Sequence, residues 1–353
     1  MMSLTPLEDT LLRLLEIESP TGGEGPITDW IEAQLVGFGW QVDRLGHALS
    51  ARRPRPGATV PVGLFGHTDV VTDLAMAPIK VEIDEIHGPG ASDMKGGLAV
   101  MLELAKNLSD ADLSKEPTLV FYDKEEGPLA DNGLGPLLQA QRQLHDLSLG
   151  VCLEPTDGEL HLGCVGSLHV EVSIEGKAAH SARPWQGENA ITAAGELLQR
   201  FHHWPPRATK IQGLTFHDTV TVTTIQGGQS RNSVPATCTF NVNLRFVPGR
   251  TTADALSDLQ RFVGDAATLR VIDASGGADV VLDHELVRDL LDRERLSVAA
   301  KQAWTDVAQL QAVGVPGINY GPGATGWAHQ AGERLERSRL QEAYDVLERW
   351  LRG

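Results

Sequence analysis

The chain has 353 residues, 41% of them apolar and 22% charged, with a formal net charge of −17. Such a composition can bury a sizeable core, and the length suits roughly two or three domains of about 150 residues each. The acidic balance argues against broad binding to nucleic acid or anionic membrane, and no uninterrupted apolar run approaches the ~18 residues of a membrane span.

In chain order, Met1–Pro20 carries Glu8, Asp9, Glu16 and Glu18 among its leucines, which reads as an amphipathic helix and not a signal peptide. Leu11, Leu12 and Leu15, then Ile27, Trp30, Ile31 and Leu35, predict two helices around the turn-rich Ser19-Pro20-Thr21-Gly22-Gly23. Val60–Phe65 is a short apolar run that reads as a buried strand, as do Thr118–Tyr122, Leu149–Leu153 and Gly317–Tyr320. Between the first two, Leu98, Met101, Leu102, Ala105 and Leu108 keep the spacing of a core-facing helix. Strands interleaved with helices predict an α/β domain, a mixed sheet layered by helices on both faces.

The pattern changes near Gly166. A half-exposed strand at Leu168–Ile174, a helix at Asn189–Phe201, strands at Thr219–Ile225 and Thr237–Phe246, a helix from Thr252 to Val263 and a strand at Leu269–Ile272 give the order βαββαβ. That is the order of a ferredoxin-like domain. The expected organisation is a catalytic domain of residues 1–166 and 276–353, split by an inserted domain of residues 167–275. Cys152, Cys164 and Cys238 are odd in number and lack C-x-x-C spacing, so they read as reduced thiols of a cytoplasmic protein.

The chemistry-bearing residues follow the buried strands. Gly66-His67-Thr68-Asp69 ends the first, Tyr122-Asp123-Lys124-Glu125-Glu126 the second and Glu154 the third, while His329 comes after Gly321-Pro322-Gly323 beyond the last. Open α/β sheets bind ligands at the carboxyl ends of their strands. Asp93 lies in Gly88-Pro89-Gly90-Ala91-Ser92-Asp93-Met94-Lys95-Gly96-Gly97, whose glycines permit a tightly pressed backbone. Each signal alone has a plain alternative: His67 as a loop histidine, Asp93 as a helix cap, Glu125-Glu126 as an exposed acidic turn. Together they place two imidazoles and several carboxylates at one sheet edge. Adjacent carboxylates there are costly unless a cation or proton separates them, and this donor set suits zinc or a similar divalent ion.

In this arrangement the chain resembles the dinuclear-zinc aminoacylase and carboxypeptidase family. It shows the family's five elements in order, as His67-Thr68-Asp69, Asp93, Glu125-Glu126, Glu154 and His329, at intervals of 26, 33, 28 and 175 residues. Within that family it is most similar to succinyl-diaminopimelate desuccinylases of the actinobacterial type. The stretches that carry this are Ser92–Lys95, Phe121–Glu126, Ala179–Trp185, Asn232–Pro235, Trp304–Ala308 and Tyr320–Gly323.

The resemblance implies two Zn2+ per subunit, with Asp93 bridging them, His67 and Glu154 completing one site, and Glu126 and His329 the other. It also implies Glu125 as general base, Asp69 orienting His67, and an inserted lid in a homodimer. From the lid, His180 would stabilise the oxyanion. Arg183, Asn232 and Arg245, with Gly323 of the catalytic domain, would contact the substrate. The implied reaction is hydrolysis of an N-acyl amino acid, first N-succinyl-LL-2,6-diaminopimelate. Deacylation of N-acetylornithine or a LysW-type substrate and small-peptide carboxypeptidase action are alternatives, and a non-catalytic ligand binder ranks last. There are two departures: no arginine precedes Gly166-Ser167, and Lys124 stands where the resemblance implies a small residue.

Overall fold

A computed structural model describes residues 3–53, 60–71, 78–108 and 113–353. The chain divides into two compact units, residues 1–163, 281–299 and 305–353, and residues 164–280 with 300–304.

The first unit opens with α1 (Pro6–Glu16), where Thr5 and Glu8 form a reciprocal cap and Pro6 occupies the first turn. Then come α2 (Gly25–Gly37), β1 (Gln41–Leu45), β2 (Ala48–Arg52), β3 (Val60–His67), β4 (Lys80–Val81) and β5 (Glu85–His87). They are followed by α3 (Gly96–Asn107), β6 (Lys115–Tyr122), α4 (Leu134–Ala140), β7 (Leu149–Cys152) and β8 (Leu160–Leu162). The helix predicted from Leu98 to Leu108 is α3, and it is buried along most of its length. Asp93 does not cap it. The residue lies upstream in non-helical backbone (φ −126°, ψ 95°), and the N-cap position falls to Lys95.

The second unit contains β9 (Gly166–Glu175), β10 (Ala179–His180), α5 (Ala190–His202), β11 (Arg207–Ile211), β12 (Leu214–Gly227), β13 (Ser233–Val234), β14 (Thr237–Phe246), α6 (Thr252–Val263) and β15 (Thr268–Ser275). Its main sheet runs β11-β12-β14-β9-β15, all antiparallel. The alternation in β9 and β14 sends Leu168, Val170, Val172, Phe240, Val242 and Leu244 to one face, where Ala194, Leu197 and Leu259 of the two helices close a core. This is the ferredoxin-like order with an edge strand, β11, that the apolar pattern does not announce, because its residues are mostly exposed. Paired backbone bonds between Cys164 and Ala278, and the Trp304 indole donating to the Gly276 carbonyl (2.9 Å), draw 164–166, 276–280 and 300–304 into this unit.

The chain then returns to the first unit through α7 (Glu285–Glu294), β16 (Val298–Ala300), α8 (Val307–Ala312), β17 (Gly317–Asn319), β18 (Arg334–Glu336) and α9 (Arg337–Arg352). Its large sheet has the order β1-β2-β6-β3-β7-β17-β8-β16. The four central strands β6, β3, β7 and β17 are mutually parallel, whereas β2 and β8 flank them antiparallel. Central parallel strands are covered on both faces, which is why they read as unbroken apolar runs. Their register aligns the carboxyl ends, pairing His67 with Tyr122, Phe65 with Cys152, and Asn319 with Cys152. Backbone bonds continue past the strand ends, from Thr68 N–H to Tyr122 O (2.8 Å), Leu153 N–H to Phe65 O (2.9 Å) and Tyr320 N–H to Cys152 O (2.9 Å). The polar residues that follow each strand therefore emerge side by side.

Candidate metal centre

His67 is buried at the end of β3. Its Nδ1 lies 3.1 Å from the carbonyl oxygen of Asp69, which can only accept, so the Nδ1 proton is fixed there and Nε2 is left to ligate. That Nε2 is 3.1 Å from Asp93 Oδ1 and 3.9 Å from Glu154 Oε1. The other oxygen of Asp93, Oδ2, lies 3.6 Å from His329 Nε2, which is 2.8 Å from Glu126 Oε1. Asp93 thus divides its two oxygens between two imidazole–carboxylate pairs, one with His67 and Glu154, the other with His329 and Glu126. Candidate ligand atoms of His67, Asp93 and Glu126 all lie within 4.8 Å of one another.

Asp69 has a larger task than orienting His67. Its fully buried carboxylate stands 3.5 Å from His67 Nδ1, accepts the Glu125 N–H (3.0 Å) on Oδ1, and accepts the Glu126 N–H (3.1 Å) and the Thr21 hydroxyl (2.9 Å) on Oδ2. The acidic turn is thereby pinned beside the histidine. At the turn's far end, Asn132 donates to buried Asp306 (3.1 Å) and accepts the Leu134 N–H (2.8 Å). Lys124 adopts φ +58°, left-handed backbone that favours glycine or asparagine, which explains why a small residue suits that position.

The profile of a family described as the peptidase dimerisation domain matches residues 162–268. The chain is 38% identical to a Mycobacterium tuberculosis protein named "Putative succinyl-diaminopimelate desuccinylase DapE", over 99% of this chain and 98% of that one. It is 32% identical to the succinyl-diaminopimelate desuccinylase of Corynebacterium glutamicum, over 96% and 94%. The chain belongs to the M20 peptidase family. A Staphylococcus aureus tripeptidase structure superposes with a TM-score of 0.82 at 18% identity, covering 98% of this chain and 97% of that one, and so shares the M20 fold.

The charge balance of this M20 centre fits divalent cations. Burial raises the Glu125 pKa well above the carboxylate range, and the charges of Glu126, Glu154 and Asp306 add to it, against the opposing pull of His67. Glu126 is raised as well, again by burial first, with the hydrogen bond from His329 opposing. Burial works against a charged His67, but hydrogen bonds to Asp69 and Asp93 outweigh it and hold the ring's pKa well above its ordinary value. His329 is raised to about 9, chiefly by its hydrogen bond to Glu126. Carboxylates that hold protons, and imidazoles that become charged to sit among them, mark a donor set in want of positive charge. Zinc-type ions take this mixture of imidazole nitrogen and carboxylate oxygen.

A second cluster, Glu82, Glu85 and His87, lies on the small sheet β18-β5-β4. Glu82 pairs with Lys80, and Glu85 with Arg334 (3.2 Å), so that cluster is already balanced by cationic side chains.

Of the remaining expected site residues, Gly323 lies in the first unit. A Cβ there would sit 2.2 Å from the Ser92 carbonyl oxygen, and its own carbonyl accepts the N–H groups of Thr156 and Asp157 (3.0 Å each). Its lack of a side chain lets the Asp93 loop approach. His180, Arg183 and Asn232 group on the exposed rim of the second unit, where His180 pairs with Ser233, Arg183 N–H donates to His180 O (2.8 Å) and Ser181 N–H to Asn232 O (3.0 Å). The His180 Nδ1 accepts the Ala182 N–H (3.0 Å), which leaves Nε2 as the ring's donor. Arg245 stands apart from them on β14, opposite Ser167 and Thr219, where its charge helps to lower the pKa of His169 after burial.

Sequence reasoning missed Glu333. Burial pushes its pKa up to about 7, and its carboxylate accepts three backbone N–H groups of the Asp93 loop. Its only sequence cue is a position four residues after His329, beside Gly332.

Proposed function

We propose that this protein hydrolyses the amide bond of an N-acyl amino acid with two Zn2+ ions per subunit, and that its substrate is N-succinyl-LL-2,6-diaminopimelate. The observation that carries the reading is Asp93, one carboxylate shared between two imidazole–carboxylate pairs. His67, Asp93 and Glu154 would hold one ion, and His329, Asp93 and Glu126 the other. When bound, a pair of such ions supplies Lewis-acid polarisation of the carbonyl and a water that is easier to deprotonate.

Glu125 is the base. Its backbone is pinned through Asp69, and beside the bound ions its carboxylate takes a proton from the attacking water and returns it to the leaving amine. His180 offers its Nε2–H to the carbonyl oxygen as negative charge develops there, and Arg183, Asn232 and Arg245 meet the substrate's carboxylates. The peptidase dimerisation match supports a homodimer as the working form. The desuccinylase name borne by relatives aligned over 96–99% of the chain supports the succinyl substrate.

The test is amine release from N-succinyl-diaminopimelate, N-acetylornithine and dipeptides by zinc-loaded protein. The succinyl compound is expected to have the highest kcat/KM. Faster turnover of acetylornithine or a dipeptide would overturn the substrate assignment, and no release from any of the three would overturn the reaction.

A further inference from the structure

Asp93 faces both imidazoles, yet its own backbone belongs to no strand or regular helix. Its φ and ψ are non-helical, and it follows Gly90, whose φ of +77° turns the chain. No sheet ladder fixes its N–H. The fixing comes from about 240 residues downstream. Glu333 Oε1 accepts the N–H groups of Ser92 (2.9 Å) and Asp93 (2.8 Å), while Oε2 accepts that of Gly90 (2.8 Å). The Glu333 carbonyl also takes the Gly88 N–H (3.0 Å). Ser92 Oγ donates to Arg334 O (2.7 Å) and accepts the Ala324 N–H (3.1 Å). The segment from Ala324 to Arg334 therefore grips the Asp93 loop, and the same segment carries His329.

We propose that Glu333 is a positioning residue for the shared carboxylate: it holds the Asp93 peptide so that one oxygen faces His67 and the other His329. Its hydrogen bonds to the loop run to backbone N–H groups, so its positioning effect passes through the backbone. The consequence is a physical link between the half-sites, since the segment that brings His329 to one of them also sets the carboxylate of the other. This rests on the reading of Asp93 as a shared ligand. Hydrogen-bond partners of metal ligands typically change metal affinity by about 10–100-fold when removed.

The test uses chelator-stripped full-length protein with two readouts. Backbone amide exchange at Gly90, Ser92 and Asp93 is compared in wild type, Glu333→Gln and Glu333→Ala. Cobalt(II) titration is then followed by its visible absorption, with each substitution made also in a His329→Ala background, where only the His67 half-site remains. In Glu333→Gln the amide oxygen can still serve Ser92 and Asp93 while Gly90 N–H loses its acceptor, so its effects should fall between wild type and Glu333→Ala. Glu333→Ala is expected to speed exchange at the three amides and, in the His329→Ala background, to weaken cobalt binding by about 10–100-fold. A merely structural residue would lower the melting temperature without moving cobalt affinity. Unchanged Gly90 exchange in the folded Glu333→Gln protein, or cobalt affinity within twofold of the parent in the folded Glu333→Ala protein, overturns the proposal while the dinuclear reading stands. If wild type itself takes up no cobalt, the dinuclear reading falls and the proposal with it.

Discussion

Asp69→Asn tests whether the acidic turn is held in place by a charge. The side chain is fully buried, and its two oxygens receive two backbone N–H groups, one hydroxyl and the approach of His67. An amide keeps one oxygen. Were its NH2 to replace Oδ1, it would oppose both the Glu125 N–H and the His67 Nδ1–H. Placed at Oδ2, it opposes only the Glu126 N–H, because the Thr21 hydroxyl can rotate to accept. The amide should therefore settle that way and leave the Glu126 N–H buried without an acceptor, at about 1–3 kcal/mol. Loss of the charge weakens the remaining bonds, bringing the total to roughly 2–4 kcal/mol. At about 2–4 °C per kcal/mol for a domain of 150–250 residues, the melting temperature should fall by roughly 5–15 °C.

Displacement of Glu126, a candidate ligand, should also cost metal affinity. The Asp69 pKa is lowered, since the bonds from His67, the Glu125 backbone and Thr21 outweigh burial. Its stabilisation is thus present above the unfolded value of 3.8 and is lost as pH falls through the lower folded value, so the difference from Asp69→Asn should shrink in acid. Calorimetry of the stripped proteins between pH 3 and 8, with metal content by elemental analysis, checks this. Equal melting temperatures and equal metal content at pH 7 would refute the role given to the carboxylate.

Three further outcomes are expected. Glu125→Gln should retain wild-type metal content while kcat falls by about 10²–10⁴-fold, whereas Glu126→Gln should lose metal; elemental analysis beside steady-state kinetics decides, and the reverse pattern would exchange their roles. In metal-free protein, His329 is raised from 6.5 to about 9, so its stabilisation is complete below pH 6.5 and disappears as pH rises through about 9. The stability difference between stripped wild type and His329→Ala should narrow across that window. Zinc binding at pH 7 should release protons, measurable by calorimetry in buffers of different ionisation enthalpy, and buffer-independent heats would contradict it.

By itself the sequence determined which residues could meet. Unbroken apolar runs at β3, β6, β7 and β17 marked strands buried on both faces, and parallel neighbours in register put whatever follows them at one edge. That is why His67, Glu125, Glu126 and Glu154 were legible as candidate site residues once the strand ends were taken together. The ferredoxin-like order was legible by a different signal, since β9 and β14 alternate cleanly with one face buried, while exposed β11 left no apolar trace. The glycines around Asp93 suggested a tightly pressed backbone. What presses on it is the protein itself: a Cβ on Gly90 would lie 2.5 Å from Val70 Cγ1, and one on Gly97 2.5 Å from the Leu153 carbonyl oxygen.

Only the tertiary structure decided how these groups are held. Asp69 and Glu333 act by accepting backbone N–H groups, and every residue but proline carries one, so the sequence has no mark for the donors that a carboxylate will find. Glu333 meets Gly90 across 243 residues, and Asp69 meets Glu125 across 56. The division of the Asp93 oxygens between two imidazoles likewise depends on a non-helical turn and a returning segment that come together only in the folded chain.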